Sequence, residues 1–482
     1  MYGSGAGAAA PGSSRLLDHP DSKECLSEIT RFAARHTAAI DDFFWLRATR
    51  KLEPNGLASM RIVGADAVER DREVFRIANL VLQGGGVLGL AHAGFVAGME
   101  AINVRFAGIA GASAVAIMAA GMAVVRGGDL FAGTSRAVGE IVADMPMASF
   151  IDGPYRTRKL IKRYLLGRSL LHLPSLAGFI SATRLILRRR GLNSGNAFED
   201  WLQETFKIHG VPTIDALDAI LEKTEDQLRS MDPKPPALKD FFDNKEPIRS
   251  ELLQLMAAAI PVGIKLQFPR DIELLAAESA HNSPAMLVRA SMAIPLFFEP
   301  PYHRVAKEAW RKFVGDRLER LLDDGTVKDF AALDEIGFLD GGIFSNLPVD
   351  AFRNILPNVP TIAVPLTSSG KADAYRRHAG FGSLASEAGT VFFMIRNQRD
   401  RDAIEQLDRL SKAFDRRKKQ SEDKADLPPS YPFRLATIDV GTANWLNFVM
   451  DDAEMRDLFL MGLRRALKFL HELVDPKKES EE

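Results

Sequence analysis

Residues 77–89 read Ile-Ala-Asn-Leu-Val-Leu-Gln-Gly-Gly-Gly-Val-Leu-Gly, an apolar run that ends in a glycine cluster. Together with the helical pattern over 92–101, this stretch predicts a buried strand, a tight turn and a helix. The pattern then repeats: residues 105–110 predict a second strand, Ser113 follows in a turn, and a helix ends at Gly127-Gly128. Two such units in succession indicate an α/β fold with a parallel sheet and right-handed crossovers.

The composition is that of an ordinary globular protein. The 482 residues are 46% hydrophobic and 26% charged, enough for one large α/β domain with additions or for two to three smaller domains. The formal net charge of -1 gives no reason to expect a nucleic-acid partner. A single cysteine, Cys25, excludes an internal disulfide and a cysteine-based zinc site, and it fits a reducing compartment. We therefore expect a cytoplasmic protein.

Changes in composition along the chain predict four regions. Residues 1–22 begin with Gly, Ala and Ser and lack the features of a secretory signal, so they predict a disordered tail. Residues 23–76 predict a helical N-terminal extension, and 77–366 a catalytic domain with a helical cap at about 129–278. Residues 367–482 predict a mostly helical completion of that domain.

Two segments raise the question of a membrane. Residues 106–125 carry no charge and by length could span a bilayer, but their glycines and the turn at Ser113 favour a buried strand followed by a helix. Residues 156–190 carry ten Lys and Arg, no acid and many leucines. That pattern is compatible with a solvated helical cap or with a surface that lies on an anionic membrane.

Residues 111–115 read Gly-Ala-Ser-Ala-Val and follow a predicted strand. A turn between strand and helix exposes a serine hydroxyl near a helix N-terminus, where a neighbouring base can activate it as a nucleophile. Crowding in such an elbow favours small residues two positions before and after the serine. Gly111 meets this need, whereas Val115 does not, and overpacking there would cost about 1–3 kcal/mol.

The glycine cluster predicts an anion-binding turn. Successive backbone N–H groups at the start of a helix suit an acyl oxyanion. Gly84, Gly86 and Gly89 also match the dinucleotide pattern Gly-x-Gly-x-x-Gly. That alternative needs an acidic residue at the end of the second strand, where this chain has the serine turn; Glu100 comes too early.

Asp340 follows the predicted strand 336–339 and precedes two glycines, so it lies in a turn where a carboxylate can approach another backbone closely. The spacing of His92 and His303 assigns neither of them a triad role. An aspartate acting directly on Ser113 is the simpler hypothesis.

In this order, the glycine turn, the serine turn and Asp340-Gly341-Gly342 resemble the patatin-like phospholipase family. The resemblance covers about 79–366 and includes residues 191–196, residues 288–300 and Asn346-Leu347-Pro348. It implies a three-layer α/β/α fold with a central, mostly parallel sheet and a helical cap.

The resemblance also implies roles for individual residues. Ser113 would be the nucleophile, Asp340 its base, and the N–H groups of Gly84, Gly85 and Gly86 the oxyanion hole. Such enzymes cleave phospholipids or other acyl lipids through an acyl-enzyme, with no metal and no cofactor. The substrate would be met at a membrane surface, for which 156–190 is the candidate contact.

Two residues depart from the family pattern. Leu88 replaces a basic residue in the glycine turn, and Val115 replaces the second glycine of the serine turn. The second departure keeps a competing hypothesis open, in which the protein retains the fold as a weak or inactive lipid-binding scaffold.

Overall fold

The computed structural model describes residues 15–51, 60–61, 72–159, 184–230, 246–276, 282–356, 359–367, 401–407, 432–443 and 450–475, with single positions between some of these ranges. These residues form a mostly parallel mixed sheet flanked by helices, the α/β/α arrangement that the sequence predicted. The helices are α1 Pro20–Arg35, α2 Thr37–Phe43, α3 Gly89–Glu100, α4 Val115–Arg126, α5 Ser135–Ala143, α6 Asn196–Ile208, α7 Ile214–Arg229, α8 Ala285–Ser291, α9 Lys307–Leu318, α10 Asp324–Ala331 and α11 Asp452–Val474.

The main sheet has ten strands within the described residues. Its strands pair in the succession β13-β11-β3-β4-β6-β10-β9, in which each strand is hydrogen bonded to the next. The pairs from β13 to β6 are parallel, and the pairs β6–β10 and β10–β9 are antiparallel. The strands of the chain are β1 Arg47–Lys51, β2 Met60–Arg61, β3 Arg72–Leu82, β4 Val104–Ala112, β5 Gly191–Asn193, β6 Leu253–Ile260, β7 Ile264–Phe268, β8 Leu296–Phe298, β9 Tyr302–Arg304, β10 Glu335–Asp340, β11 Thr361–Val364, β12 Leu366–Thr367, β13 Phe433–Leu435 and β14 Ile438–Asp439.

Helix α3 follows the glycine cluster and is buried on all sides from Gly89 to Met99. It packs against α11, and glycines allow the two backbones to touch. A side chain at Gly94 would overlap the carbonyl oxygen of Phe459, and one at Gly462 would overlap that of Ala91. The C-terminal helix therefore anchors the helix that carries the glycine turn.

The predicted cap extends too far along the chain. Residues 253–268, assigned to the cap, form β6 and β7, and β6 lies in the centre of the sheet. Residues 253–260 read Leu-Gln-Leu-Met-Ala-Ala-Ala-Ile, which favours helix by intrinsic propensity. All but the last of these residues are buried in the sheet, and burial on both faces overrides that preference.

The predicted helical extension also contains strands. β1 pairs antiparallel with the start of β3, so both strands begin before residue 77. Neither β1 nor the start of β3 alternates regularly between charged and apolar residues, so local periodicity gave no sign of these strands. Arg47 and Arg76 lie opposite each other and both bind the carboxylate of Asp41, at 2.8 and 2.7 Å.

The two ends of the chain differ from their predictions as well. Residues 1–14 of the predicted tail lie outside the described residues, but Leu16 is buried and α1 begins at Pro20. The C-terminal region contributes strands in addition to α11, because β13 pairs with β11 at the sheet edge. Pairing with a distant strand is not visible in local periodicity.

The apolar segment 106–125 divides between β4 and α4, as expected. Among the described residues, no helix combines the length and the apolar character needed to cross a membrane. Most of the basic segment 156–190, namely residues 160–180 and 182–183, lies outside the described residues.

Replacing Gly94 by alanine should lower the free energy of unfolding by about 1–3 kcal/mol, because the new methyl group meets backbone that cannot move aside. Gly89→Ala is the matched control in the same helix. A side chain there would have no neighbour within 4 Å, so stability should change by less than about 1 kcal/mol. Urea denaturation measures both changes, and equal effects would contradict the close packing of α3 on α11.

Candidate active site

Strands β4 and β10 meet end to end on one edge of β6. Met256 pairs with β4 on one side and β7 on the other, whereas Ala257 pairs with β10 and β7. Because a strand has two edges, β4 and β10 share the edge that β7 does not occupy. Ala112, the last residue of β4, is opposite Met256, and Asp340, the last residue of β10, is opposite Ala257. Ser113 follows Ala112 and therefore lies beside Asp340.

The two candidate residues are hydrogen bonded to each other. Oγ of Ser113 donates to Oδ2 of Asp340 at 2.5 Å, and the side chains are buried, with 2% and 1% of their surface exposed. The other carboxylate oxygen, Oδ1, accepts the backbone N–H of Gly342 at 2.7 Å. Ser113 has φ +61°, a left-handed conformation that is uncommon outside glycine and that turns its side chain out of the elbow.

Glycines next to both residues permit close backbone contacts. A side chain at Gly341 would overlap the carbonyl group of Met256, so the turn after Asp340 can pack on β6 only with glycine at this position. Val115 is fully buried, and its Cγ2 lies 3.1 Å from the place where a Cβ of Gly111 would be. Val115 thus occupies the space that Gly111 leaves free, so one small residue is enough at this elbow.

Polar contacts from distant segments hold the glycine turn. The Gly84 N–H donates to the carbonyl oxygen of Asn346, and Nδ2 of Asn346 donates back to the Gly84 carbonyl, each at 3.0 Å. Gly84 was predicted as an oxyanion donor, but its N–H group is already engaged. Among the described residues, none accepts a hydrogen bond from Gly85 or Gly86. Gly86 has φ +61°, which favours glycine.

Ser291, at the end of α8, was not singled out by the sequence. Its Oγ accepts the backbone N–H of Ser113 at 3.2 Å, and its side chain is fully buried. The carbonyl oxygen of Ala293 accepts the N–H of Asp340 at 2.8 Å. The last residue of α8 and the segment that follows it therefore hold the backbone of both candidate residues. Ser291 lies within the stretch 288–300 that carried the family resemblance, and this was the available signal.

Arg289 attaches α8 to the turn at 194–195. Its Nη2 donates to the carbonyl oxygens of Ser194 at 2.7 Å and Glu299 at 2.6 Å. Burial lowers the pKa of the Arg289 guanidinium to about 10. The turn itself contains Gly195 with φ +77° and precedes α6, as the sequence suggested.

The histidines lie outside this arrangement. His92 is buried in α3, and its Nε2 is 3.0 Å from the carbonyl oxygen of Val364. Burial lowers the pKa of His92 to about 4, so the imidazole is neutral at physiological pH. Burial also lowers the pKa of His303, which lies on β9. Neither histidine has a hydrogen bond to Ser113 or Asp340.

An apolar cavity of about 30 Å³ adjoins the glycine turn and the serine elbow. Gly86 contributes to its wall on one side and Ala114, the residue after Ser113, on another. The remaining lining is apolar and includes four methionines. No three His, Cys, Asp or Glu side chains within the described part of the chain are placed to hold a metal ion.

The region that contains all these residues matches a protein-family description. Residues 80–353, more than half of the chain, match the family described as patatin-like phospholipase. The chain belongs to the patatin-like phospholipase family. This confirms the resemblance and the fold class predicted from sequence, and it supports lipid acyl hydrolysis as the general class of activity.

Other comparisons add the following. Among solved structures, the chain is similar to VipD from Legionella pneumophila, with 14% identity over 88% of this chain and 70% of VipD and a TM-score of 0.36. No curated protein matches the sequence.

Ser291→Ala should lower kcat on a nitrophenyl ester at least about tenfold with little change in KM, because the buried N–H of Ser113 loses its acceptor. Stability should fall by about 1–3 kcal/mol. Ser283→Ala is the matched control, since Ser283 is buried at the other end of α8 and its Oγ accepts the N–H of Ala285. An unchanged kcat in Ser291→Ala, or an equal loss in both variants, would contradict a positioning role.

Proposed function

We propose that the protein is a lipid acyl hydrolase that uses Ser113 as nucleophile and Asp340 as general base. The observation that carries this proposal is the 2.5 Å hydrogen bond from Oγ of Ser113 to Oδ2 of Asp340 in a water-poor site. The backbone N–H groups of Gly85 and Gly86 supply the oxyanion hole in this proposal. Family membership supports the reaction class.

The geometry suits a two-step acyl transfer. In the first step, Oδ2 of Asp340 takes the hydroxyl proton while Oγ of Ser113 attacks the ester carbonyl. The N–H groups of Gly85 and Gly86 bind the oxyanion, and donors of this kind contribute about 2.7–4 kcal/mol each. The intermediate collapses by breaking the bond to the alcohol, which leaves with the proton held by Asp340.

In the second step, water hydrolyses the acyl-enzyme. Asp340 takes a proton from the water as it attacks the acyl carbonyl, and the same oxyanion donors stabilise the new intermediate. The bond to Ser113 Oγ then breaks, Oγ recovers the proton, and the carboxylic acid leaves. The hydrogen bond from the Gly342 N–H to Oδ1 keeps Oδ2 directed at Ser113 throughout.

The competing hypothesis of an inactive scaffold rested on Val115. Its side chain fits over Gly111 without displacing Ser113 from Asp340. Because the elbow accommodates valine in this way, we favour the hypothesis of an active hydrolase over that of an inactive scaffold. Phospholipids, lysophospholipids and other acyl esters are the proposed substrates.

Ser113→Ala and Asp340→Asn should each abolish hydrolysis of a nitrophenyl ester and of a fluorescent phospholipid, because the first lacks the nucleophile and the second the base. Turnover should fall at least about 1000-fold in each case. Asp350→Asn, a change of the same type at an exposed position of the same loop region, is the control and should retain activity. A folded wild-type protein without turnover, and without labelling by a fluorophosphonate, would favour the scaffold.

We also propose that the protein binds membranes peripherally through the basic segment 156–190. The basic residues at its described ends are exposed, namely Arg156, Arg158 and Lys159 at one end and Arg188, Arg189 and Arg190 at the other, and Leu187 has 77% of its surface exposed. The pairing of β5 with β8 brings Leu296, 50% exposed, next to Gly191. Exposed apolar side chains beside arginines match an anionic lipid surface.

Reversing the charges at Arg188, Arg189 and Arg190 to glutamate should weaken binding to phosphatidylserine-containing vesicles by about 100-fold, given about 1 kcal/mol for each basic residue. The control reverses the charge of three exposed basic residues in or near α9, namely Arg311, Lys312 and Arg320, and so changes the net charge by the same amount. Vesicle sedimentation measures both variants. Equal binding by both variants would show that the basic segment does not contact the bilayer.

A further inference from the structure

One carbonyl oxygen, that of Val364, binds both the start of the glycine turn and the helix that follows the turn. Val364 is the last residue of β11, and its oxygen accepts the backbone N–H of Gln83 at 3.3 Å. The same oxygen lies 3.0 Å from Nε2 of His92, in the first turn of α3. Because a carbonyl oxygen can only accept, Nε2 carries the ring proton and donates the hydrogen bond. The glycine turn is therefore attached at both of its ends to the same point of β11.

Residues 364–366 support the turn in two further ways. Oε1 of Gln83 accepts the backbone N–H of Leu366 at 2.6 Å. The side chain of Leu366 occupies the place where a Cβ of Gly85 would be, so the two residues lie in direct contact. The proposed oxyanion donors thus rest on the segment that begins at the end of β11, and His92 links this segment to α3.

Stability does not account for a histidine at this position. His92 is fully buried, and it is the only polar side chain of α3 between Leu90 and Met99. Within the described part of the chain, its Nδ1 has no hydrogen-bond partner. A buried polar atom without a partner lowers stability, and the same burial lowers the pKa of His92 to about 4. The Val364 carbonyl would keep its bond from Gln83 without the imidazole, so an apolar residue would remove this cost.

We propose that His92 is a positioning residue for the oxyanion hole: its hydrogen bond to the Val364 carbonyl fixes the direction of the N–H groups of Gly85 and Gly86. The inference rests on the function proposed above. The role is indirect, because a backbone carbonyl engages the ring proton. Oxyanion donors stabilise the transition state only when they point at the developing charge. A small rotation of the turn therefore lowers kcat and leaves substrate binding nearly unchanged.

The test compares His92→Leu, His92→Gln and the wild type on a nitrophenyl ester. Leucine has a similar volume but no donor, so kcat should fall at least about tenfold with little change in KM, since a misplacement of about 1 Å can cost about 100-fold. The amide nitrogen of glutamine can take the place of Nε2 and donate to Val364, so His92→Gln should keep kcat within about threefold of the wild type. The melting temperature of His92→Leu should equal or exceed that of the wild type.

Thr361→Val is the matched control. Thr361 is also fully buried and lies at the other end of β11, where its Oγ1 accepts from Nδ2 of Asn79 and donates to the Val359 carbonyl, both at 3.3 Å. The control should lower the melting temperature and leave kcat within about twofold of the wild type. This is the opposite of the pattern expected for His92→Leu.

His92→Asn keeps the test decisive if His92→Leu does not fold. The asparagine side chain is one carbon shorter than that of glutamine, so its amide does not reach the Val364 carbonyl. Its kcat should fall at least about tenfold, while His92→Gln stays active.

The outcomes separate this inference from the proposed function. Turnover that depends on Ser113, with the same kcat in the wild type, His92→Leu and His92→Asn, would overturn the role of His92 and leave the function standing. A loss of kcat that glutamine does not restore, together with a lower melting temperature in every variant, would show that His92 only supports packing. Turnover by the wild type that does not depend on Ser113 would contradict the function itself.

Hydrogen–deuterium exchange of backbone amides tests the same role without turnover. The amides of residues 83–88 should exchange at least about tenfold faster in His92→Leu than in the wild type, because exchange requires local opening of the turn. Thr361→Val should leave their exchange unchanged. Equal exchange in His92→Leu and the wild type would overturn the positioning role, whether or not the protein hydrolyses an ester.

Discussion

The site depends on one constraint of strand pairing: β4 and β10 end against each other on a single edge of β6. Ala112 and Asp340 pair with consecutive residues, Met256 and Ala257, so the ladders of the central sheet fix the backbone of Asp340 and of the residue before Ser113. Side chains brought together in this way lie on rigid elements and not on free loops. Such a framework preserves a short hydrogen bond better than two loops would.

Close backbone contacts are the second requirement, and glycine supplies them at three places. Gly341 lies over the carbonyl of Met256, Gly111 makes room for Val115, and Gly94 lets α11 support the helix that follows the glycine turn. Ser291 and Asn346 complete this framework, the first at the Ser113 backbone and the second at Gly84. Nearly all of the polar groups that fix the site are thus backbone groups bound by distant segments.

The sequence predicted the local elements that carry the candidate residues better than it predicted the segments that pack around them. The strand, turn and helix around residues 77–126 were correct because their periodicity is local. The central strand β6 was assigned to a helical cap because its leucines and alanines favour helix, and only burial within the sheet makes it a strand. The resemblance singled out the stretch that contains Ser291 but not its contact with Ser113, because the two residues are 178 positions apart and meet only in the folded chain.

By itself, the sequence determined the fold class, the family, and the serine, aspartate and glycines on which the proposed chemistry rests, because these features are encoded in short motifs and local patterns. The tertiary structure alone decided how they combine. It brought Oγ of Ser113 to 2.5 Å from Asp340, engaged the N–H of Gly84 with Asn346, fitted Val115 over Gly111 and formed the methionine-lined cavity. Each of these results depends on contacts between residues far apart in the chain, and a local pattern of residues carries no information about them.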